Sequence, residues 1–539
     1  MPPALSADKL MTRAKQATKA EDWVEAHANY QAVLARFPGN KRARQGLEAL
    51  RLPALPALLK KAKEGQAASN WSLVEQQLAT AHALAPDLSQ IGVAYASALI
   101  ENSKPIKALS ITDEVLARFP QETAAMMSKS LCLHELDRPA EASAILTELD
   151  ALMPDAAPVL NLLGLVARSQ GRKDEAAAYF RRAIALQPNN AAFHRHLSLV
   201  LDYKNTPENA AHIREMKAAL AANGAGSADA APLHFSLFRA LDSLGDHDSA
   251  FAHLAQGNKL VKDSKGYDFK SDAVVAAVSK TLFAAPLPAP DMAEVRQAKR
   301  RQIFVLGLPR TGTTLVERTL SRAAGTQACG ELMIVHHAVT ALLHEVSSRK
   351  NSVITQADFD ALRQELLTGF DAISNGNPVM IDKMPLNFRW LGYICTALPE
   401  AQIVHINRDP MAVAWSLYKH LFSRDGNRFI YDIADIARFM VLHRDLMDHW
   451  RKVCPGRIHD VNYADLVADQ RSTTEALATA TGLEWTEDWL SPEKATNHVR
   501  TASVIQVQKP VYSGSDQAWR AYESHLGPLR DALTQAGIL

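Results

Sequence analysis

Residues 303–320 read IFVLGLPRTGTTLVERTL and decide the fold class of the C-terminal half of the chain. The apolar run at 302–306 predicts a buried strand, and the loop from Gly307 to Thr314 leads into a helix. Glycines at both ends of such a loop let backbone N–H groups surround a phosphate, and the helix N-terminus adds partial positive charge. The stretch therefore predicts a strand–loop–helix unit that binds a phosphate group.

The same loop differs from the phosphate loop of kinases and ATPases at one position. Its GxxxxG spacing matches a Walker A loop, but Thr313 stands where that loop has a lysine. The cation here is Arg310, inside the loop, and the hydroxyls of Thr313 and Thr314 add hydrogen-bond donors. A P-loop kinase is therefore disfavoured and stays an alternative.

Further short apolar runs after this loop alternate with helical stretches. Strands are predicted at 302–306, 379–381, 402–406 and 457–461. Alternation of strand and helix favours a parallel α/β sheet, in which the carboxyl ends of the strands share one edge. Arg310, Lys383, Arg408 and Tyr463 each follow one of these strands, so we expect their side chains to converge.

The N-terminal half has an internal repeat of 34 residues. Three kinds of position recur at this interval. Prolines that end helices are Pro86, Pro120, Pro154 and Pro188, and small residues at helix crossings are Ala108, Ala142 and Ala176. Turns between helices are at Ser103, Asp137 and Gly171. Two short amphipathic helices per unit cannot bury their apolar faces alone, so neighbouring units stack into an array. Residues 161–188, NLLGLVARSQGRKDEAAAYFRRAIALQP, are similar to the tetratricopeptide-repeat (TPR) consensus at Gly164, Ala176, Tyr179, Ala183 and Pro188.

The predicted domains are a TPR helical array at 1–294 and an α/β domain at 295–539. Pro38 lies 48 residues before Pro86, which indicates a 14-residue insertion in the first interval. A degenerate helix pair is predicted around Gly245 and Ala250, and residues 284–291, AAPLPAPD, form a proline-rich connector.

Composition limits the partners of this protein. The formal net charge is +1 without a basic run, which argues against nucleic acid as a partner. Four scattered cysteines without a CxxC pair indicate neither a disulfide framework nor a zinc site. The N-terminus has no apolar signal segment, and no apolar run approaches 18 residues, so a cytoplasmic protein without a membrane span is expected.

The motifs of the C-terminal half resemble, in order and spacing, those of bacterial TPR-repeat sulfotransferases and of tyrosylprotein sulfotransferases. PRTGTT at 309–314 looks like the 5′-phosphosulfate motif, and VHINRDPMAVAWSLY at 404–418 looks like the 3′-phosphate motif. The remaining motifs are GELMIV at 330–335, MIDKMPLNFRWLG at 380–392, VNYADLV at 461–467 and VRTASVIQVQKPVYSGSDQAWRAYESHLGPL at 499–529.

This resemblance implies transfer of a sulfuryl group from the donor 3′-phosphoadenosine 5′-phosphosulfate (PAPS) to a hydroxyl, with PAP as product and no metal. Glu331 matches the catalytic base, and Lys383 matches the lysine that stabilises the bridging oxygen of the leaving PAP. The matching nucleotide contacts are Arg310, Thr311, Gly312, Thr313, Thr314, Arg408, Ser416, Tyr463, Ser503 and Lys509.

The chain departs from the family pattern at Ala518, where a basic residue is usual, and at His420, where the eukaryotic enzymes have arginine. Lys419, Lys509 or Arg520 are candidates to replace those charges. His336 and His337 are weaker candidates for the base than Glu331, and His405 is interpreted as a core histidine.

The acceptor stays open among protein tyrosine, carbohydrate and small hydroxylated metabolites, because variable loops form the acceptor pocket. A TPR array offers a concave groove for a peptide or protein partner. The alternative function is a TPR interaction scaffold with a nucleotide-binding but inactive sulfotransferase-like domain.

Overall fold

The computed structural model describes residues 6–68, 70–136, 138–288, 300–422, 425–495 and 516–539. By packing, the chain divides into two compact units, Met1–Leu201 and Asp202–Leu539. The predicted domain boundary near residue 295 lies outside the described residues and stays a prediction.

The first unit consists of antiparallel helix pairs. Its helices are Ala7–Lys19, Trp23–Arg36, Lys41–Ala67, Trp71–Leu84, Ser89–Glu101, Pro105–Arg118, Thr123–Glu135, Pro139–Leu152, Ala157–Ser169, Lys173–Leu186 and Ala191–Val200. From Ser89 to Leu186 they alternate between 13 and 14 residues, as the 34-residue repeat requires. The inter-helix turns at Ser103 and Gly171 have φ of 57° and 77°, and the third predicted turn residue, Asp137, lies outside the described residues.

The 14-residue insertion is accommodated inside one helix. Lys41–Ala67 has 27 residues and contains Pro53 and Pro56, whereas the corresponding helices of later pairs have 13 residues. The extra residues therefore lengthen a helix and leave the pairing of its neighbours unchanged.

Small residues allow the helices of the first unit to approach closely. Ala108, Ala142 and Ala176 are fully buried. A Cβ on Gly164 would lie 2.4 Å from the Phe180 ring, so these two helices pack with no side chain at that position. The predicted small positions are thus helix contacts.

The second unit begins with four helices, of which the last three contact the α/β part. They are Pro207–Asn223, Ala231–Ser243, His247–Lys265 and Phe269–Leu282. Asn258 Nδ2 donates to the Tyr418 carbonyl at 3.0 Å, and the Tyr522 hydroxyl donates to Asp242 at 2.6 Å. These contacts explain why the packing division falls after Leu201, ahead of the predicted boundary.

A parallel five-stranded sheet forms the centre of the second unit. Its strands are β1 (Arg301–Gly307), β2 (Thr326–Ala328), β3 (Val379–Asp382), β4 (Gln402–Asn407) and β5 (Ile458–Asn462), in the order β2-β3-β1-β4-β5. The predicted fold class, a TPR-like helical region followed by a parallel α/β domain, is confirmed. Strand β2 was missed because its three residues, Thr-Gln-Ala, lack an apolar pattern and are only half-buried.

Helices cover both faces of this sheet. The α-helices are Thr313–Leu320, Ile334–Ser347, Gln356–Ile373, Leu391–Ala397, Pro410–Tyr418, Ile433–Val453, Tyr463–Ala468, Gln470–Thr481 and Gly527–Gln535. Shorter 3-10 helices lie at Ala228–Ala230, Pro385–Trp390, Asp425–Tyr431, Glu487–Leu490, Pro492–Lys494 and Ala518–His525. Among the described residues, no helix combines the length and apolarity needed to cross a bilayer.

Candidate functional site

The loop after β1 has the backbone geometry of an anion cradle. Gly307, Arg310 and Gly312 have φ of 148°, 74° and 109°, so the chain curls before the helix Thr313–Leu320 begins. A Cβ on Gly307 would lie 2.7 Å from the Ile406 carbonyl oxygen, and one on Gly312 would lie 2.6 Å from the Tyr463 ring. Both glycines are therefore required by space as well as by backbone conformation.

Two predicted 3′-phosphate residues contact this loop directly. Arg310 Nε donates to Ser416 Oγ at 2.9 Å, and Arg408 donates to the Arg310 carbonyl at 3.0 Å. Arg408 follows β4, and Asp409 caps the helix Pro410–Tyr418 that carries Ser416 by accepting from the Ala412 N–H at 2.7 Å. The loop after β1 and the turn after β4 thus form one cationic surface.

Arg408 has two further neighbours. Its guanidinium carbon lies 4.3 Å from the centre of the Tyr463 ring, and its Nε donates to Asp516 Oδ1 at 2.6 Å. Tyr463 was predicted, but Asp516 was missed, because a single aspartate in a polar segment carries no signal for a distant partner.

Strand register brings Glu331 and Lys383 together. In the β2–β3 pairing Ala328 lies opposite Ile381, and just beyond it the Lys383 N–H donates to the Gly330 carbonyl at 2.9 Å. Lys383 Nζ then donates to Glu331 Oε1 at 2.7 Å. The lysine side chain is fully buried, whereas the Glu331 side chain is 41% exposed, so the carboxylate reaches solvent.

Two more carboxyl groups surround the buried lysine. Glu317, on the helix after the phosphate loop, is 5% exposed, and Asp382 is fully buried beside Lys383. Burial raises the pKa of Glu317 and raises the pKa of Asp382 well above its usual value, although the nearby Lys383 charge opposes both shifts. Neither carboxyl group was predicted as a site residue.

The threonines of the loop differ in their surroundings. The Thr311 hydroxyl donates to the Leu308 carbonyl at 2.8 Å, so this side chain stabilises the loop itself. Thr313 and Thr314 are buried in the first turn of the helix. Ser503 and Lys509 lie outside the described residues.

Other contacts are made by His405 and His336. His405 bonds to Asp460 at 2.6 Å and to the buried His443 at 3.1 Å, within the core as predicted. The His336 ring centre lies 5.9 Å from that of Trp390, and burial lowers its pKa. Among the candidates for the base, Glu331 is the residue that accepts the hydrogen bond from Lys383 Nζ.

The residues around the two departures from the family pattern differ in burial. Lys419 lies where burial, and then the charges of Arg310 and Arg408, lower its pKa. Arg520 is exposed and its guanidinium lies 4.9 Å from the Trp519 ring centre, next to Ala518. Lys419 therefore lies near the cationic surface.

Two family models match regions of the chain. Residues 302–487 match the model of the sulfotransferase family, and residues 97–212 match the model described as Psidin, N-terminal TPR repeats region. These matches confirm the resemblance to sulfotransferases and to TPR proteins. An uncharacterised protein of Aquifex aeolicus (strain VF5) is 30% identical over 349 residues, covering 62% of this chain and 45% of that protein. The chain thus spans less than half the length of that relative.

Two solved structures are similar to parts of the chain. The sulfotransferase domain of the Synechococcus PCC 7002 olefin synthase has 19% identity and a TM-score of 0.33, covering 44% of this chain and 94% of that one. A tetratricopeptide repeat protein from Parabacteroides merdae ATCC 43184 has 15% identity and a TM-score of 0.31, covering 49% of this chain and 95% of that one.

Proposed function

We propose that this protein transfers a sulfuryl group from PAPS to a hydroxyl acceptor. The observation that carries the proposal is the 2.7 Å contact between Lys383 and Glu331 at the sheet edge that also holds the phosphate loop. A buried cation beside an accessible carboxylate suits a reaction in which one oxygen loses a proton while another gains charge.

Donor binding is assigned to the loop after β1 and the turn after β4. The curled backbone from Gly307 to Gly312, with Arg310, suits the 5′-phosphosulfate, and Arg408 and Ser416 suit the 3′-phosphate. Lys419 is the described candidate to supply the charge that the family carries at position 420. A sulfuryl group has fewer charges than a γ-phosphate, so the proposed reaction needs no metal.

The chemical step is an in-line displacement at sulfur. Glu331 takes the proton of the acceptor hydroxyl, the acceptor oxygen bonds to sulfur, and the bond from sulfur to the bridging oxygen breaks with its electrons going to PAP. Protonation of Glu331 removes the negative partner of Lys383 while charge builds on the bridging oxygen. Lys383 then stabilises that oxygen, so the contact couples the two halves of the reaction.

The acceptor class is a hydroxyl compound, with protein tyrosine, carbohydrate and small metabolites as candidates. The TPR groove is proposed to bind a peptide or protein partner. A cytoplasmic location stays a prediction.

The test combines donor binding with transfer. Calorimetry measures the binding of PAP and of ATP. A separate assay measures the transfer of radiolabelled sulfate from PAPS to candidate acceptors. We expect PAP to bind, and Glu331→Gln and Lys383→Ala to lower kcat by about 10²–10⁴ with PAP affinity largely kept in Glu331→Gln. Glu365→Gln, an exposed carboxylate on the helix Gln356–Ile373, is the control and should leave kcat unchanged.

Three results would overturn the proposal. Absence of heat with PAP would remove the donor site, and stronger stabilisation by ATP than by PAP would favour a kinase. PAP binding without transfer or PAPS hydrolysis would favour the interaction scaffold.

A further inference from the structure

Glu317 is a buried carboxyl group that the proposed reaction does not use. It lies on the helix Thr313–Leu320, which begins at the phosphate loop, and its side chain points inward with Val316 and Leu320 of the sheet core. Glu317 Oε1 accepts a hydrogen bond from the Gly330 N–H at 2.8 Å. A buried carboxyl group is costly to desolvate, and this hydrogen bond from the backbone offsets part of that cost.

That hydrogen bond completes the attachment of Gly330. The Gly330 carbonyl accepts from the Lys383 N–H at 2.9 Å, and the preceding Cys329 N–H donates to the Ile381 carbonyl at 2.9 Å. Gly330 has a φ of 68°, so the chain turns out of the sheet edge at this residue. Both backbone groups of Gly330 are therefore held, the carbonyl by Lys383 directly after β3 and the N–H by Glu317.

A short path of covalent bonds and hydrogen bonds therefore links the donor loop to the carboxylate of Glu331. Glu317 lies five residues after Gly312 of the loop, and Gly330 directly precedes Glu331. A shift of the helix at the donor loop would move the Gly330 N–H, and with it the carboxylate that contacts Lys383. Misplacement of a reacting group by about 1 Å can cost about 10²-fold in rate.

We propose that Glu317 is a positioning residue, which holds Gly330 so that Glu331 stays in contact with Lys383 at the edge of the donor loop. The inference rests on the proposed function, because it assigns Glu317 an effect that acts through Glu331. The charge of Lys383 also reaches Glu317, so the carboxyl group contributes to the electrostatic surroundings of the lysine.

Hydrogen–deuterium exchange tests the structural half without reference to activity. Glu317→Met keeps an unbranched side chain of similar length and removes the acceptor oxygens, whereas Glu317→Gln keeps an amide oxygen that accepts from Gly330. We expect the amide of Gly330 to exchange at least about 10-fold faster in Glu317→Met than in the wild type. In Glu317→Gln its protection should be close to the wild-type value.

A double-variant cycle tests the functional half. The reaction measured is PAPS conversion to PAP with water as acceptor, which needs no identified substrate. We expect Glu317→Met to lower kcat by about 10–100-fold and Glu317→Gln by no more than about 5-fold, with PAP affinity within about 3-fold of the wild type. In a Glu331→Gln background, Glu317→Met should cause no further loss, because Glu317 acts through Glu331.

The outcomes separate this inference from the proposed function. Unchanged exchange at Gly330 in a folded Glu317→Met protein overturns the inference, as do losses that multiply in the double variant. Weakened PAP binding with normal kcat would instead assign Glu317 to the donor loop, which also overturns it. If Glu317→Met does not fold, Glu317→Gln decides instead. Loss of protection of the Gly330 amide in that variant, or a fall of its kcat by more than about 5-fold, counts against the inference. Failure of the wild type to bind PAP would contradict the proposed function, and exchange at Gly330 would still report on the hydrogen bond.

Discussion

Arg408 donates from Nε to Asp516 Oδ1 at 2.6 Å, so the arginine assigned to the 3′-phosphate contacts a carboxylate of its own chain. The Arg408 and Asp516 side chains are 10% and 26% exposed, which reduces screening of the ion pair by water. Asp516 lies 108 positions after Arg408, in the C-terminal part of the chain. A phosphate at Arg408 would therefore meet a nearby negative charge.

We expect Asp516→Asn to tighten PAP binding. Removing the carboxylate abolishes its repulsion of the 3′-phosphate and its competition for Arg408. We expect a gain of about 3–10-fold in affinity from this mostly buried charge pair. Calorimetry with PAP measures the change. Asp488→Asn, which breaks the exposed pair with Arg322, is the control. Weaker binding by Asp516→Asn would show that Asp516 orients Arg408 for the nucleotide.

Gly312→Ala is expected to abolish detectable PAP binding by distorting the donor loop. The new Cβ would lie 2.6 Å from the Tyr463 ring at a φ of 109°, so both space and backbone conformation oppose it. Gly376→Ala is the matched control, since Gly376 has a φ of 96° but no atom within 4 Å of an added Cβ. Equal PAP affinity in both variants would mean that the loop does not bind the donor.

Gly164→Ala should destabilise the helical first unit. Its Cβ would lie 2.4 Å from the Phe180 ring, and overpacking of this kind costs about 1–3 kcal/mol. Gly39→Ala has no atom within 4 Å and should leave the unfolding midpoint nearly unchanged. Urea unfolding followed by circular dichroism compares the two, and an unaffected Gly164→Ala protein would contradict the close helix packing.

His443 should make the stability of the second unit depend on pH. Burial lowers the pKa of His443 well below 6.5 and also lowers that of its hydrogen-bond partner His405. The unfolded chain then binds more protons, so stability is present above about pH 6.5 and is lost as pH falls from there. We expect a smaller fall of the unfolding temperature between pH 8 and about 5.5 in His443→Gln than in the wild type.

The control for this experiment is His344→Gln, which replaces an exposed histidine of the helix Ile334–Ser347. Its pH dependence should follow the wild type. An unchanged pH slope in His443→Gln would mean that other groups account for the acid sensitivity.

Much of the fold could be predicted because periodic patterns are local. The 34-residue spacing predicted the helix pairs between Ser89 and Leu186, and apolar runs predicted β1, β3, β4 and β5 to within one or two residues. Strand β2 could not be predicted, since three half-buried residues show no period. The 27-residue helix Lys41–Ala67 was also unexpected in form, although the insertion it contains was counted from the prolines.

The candidate site was partly predictable for a different reason. Residues that follow parallel strands meet at one edge, so the contacts among Arg310, Arg408 and Tyr463 agree with that expectation. Asp516 and Glu317 could not be found in this way, because a single carboxylate has the same local signature on a solvated helix as beside a distant partner.

The sequence by itself determined the order of the two architectures, the glycine-bounded loop and the identity of the candidate reacting groups. These features depend on the spacing of residues along the chain, and that spacing is visible within a single strand, loop or helix pair. Only the tertiary structure decided that Lys383 meets Glu331, that Asp516 meets Arg408 and that Glu317 holds Gly330. Such contacts depend on strand register and helix packing, where a shift of one residue changes every partner.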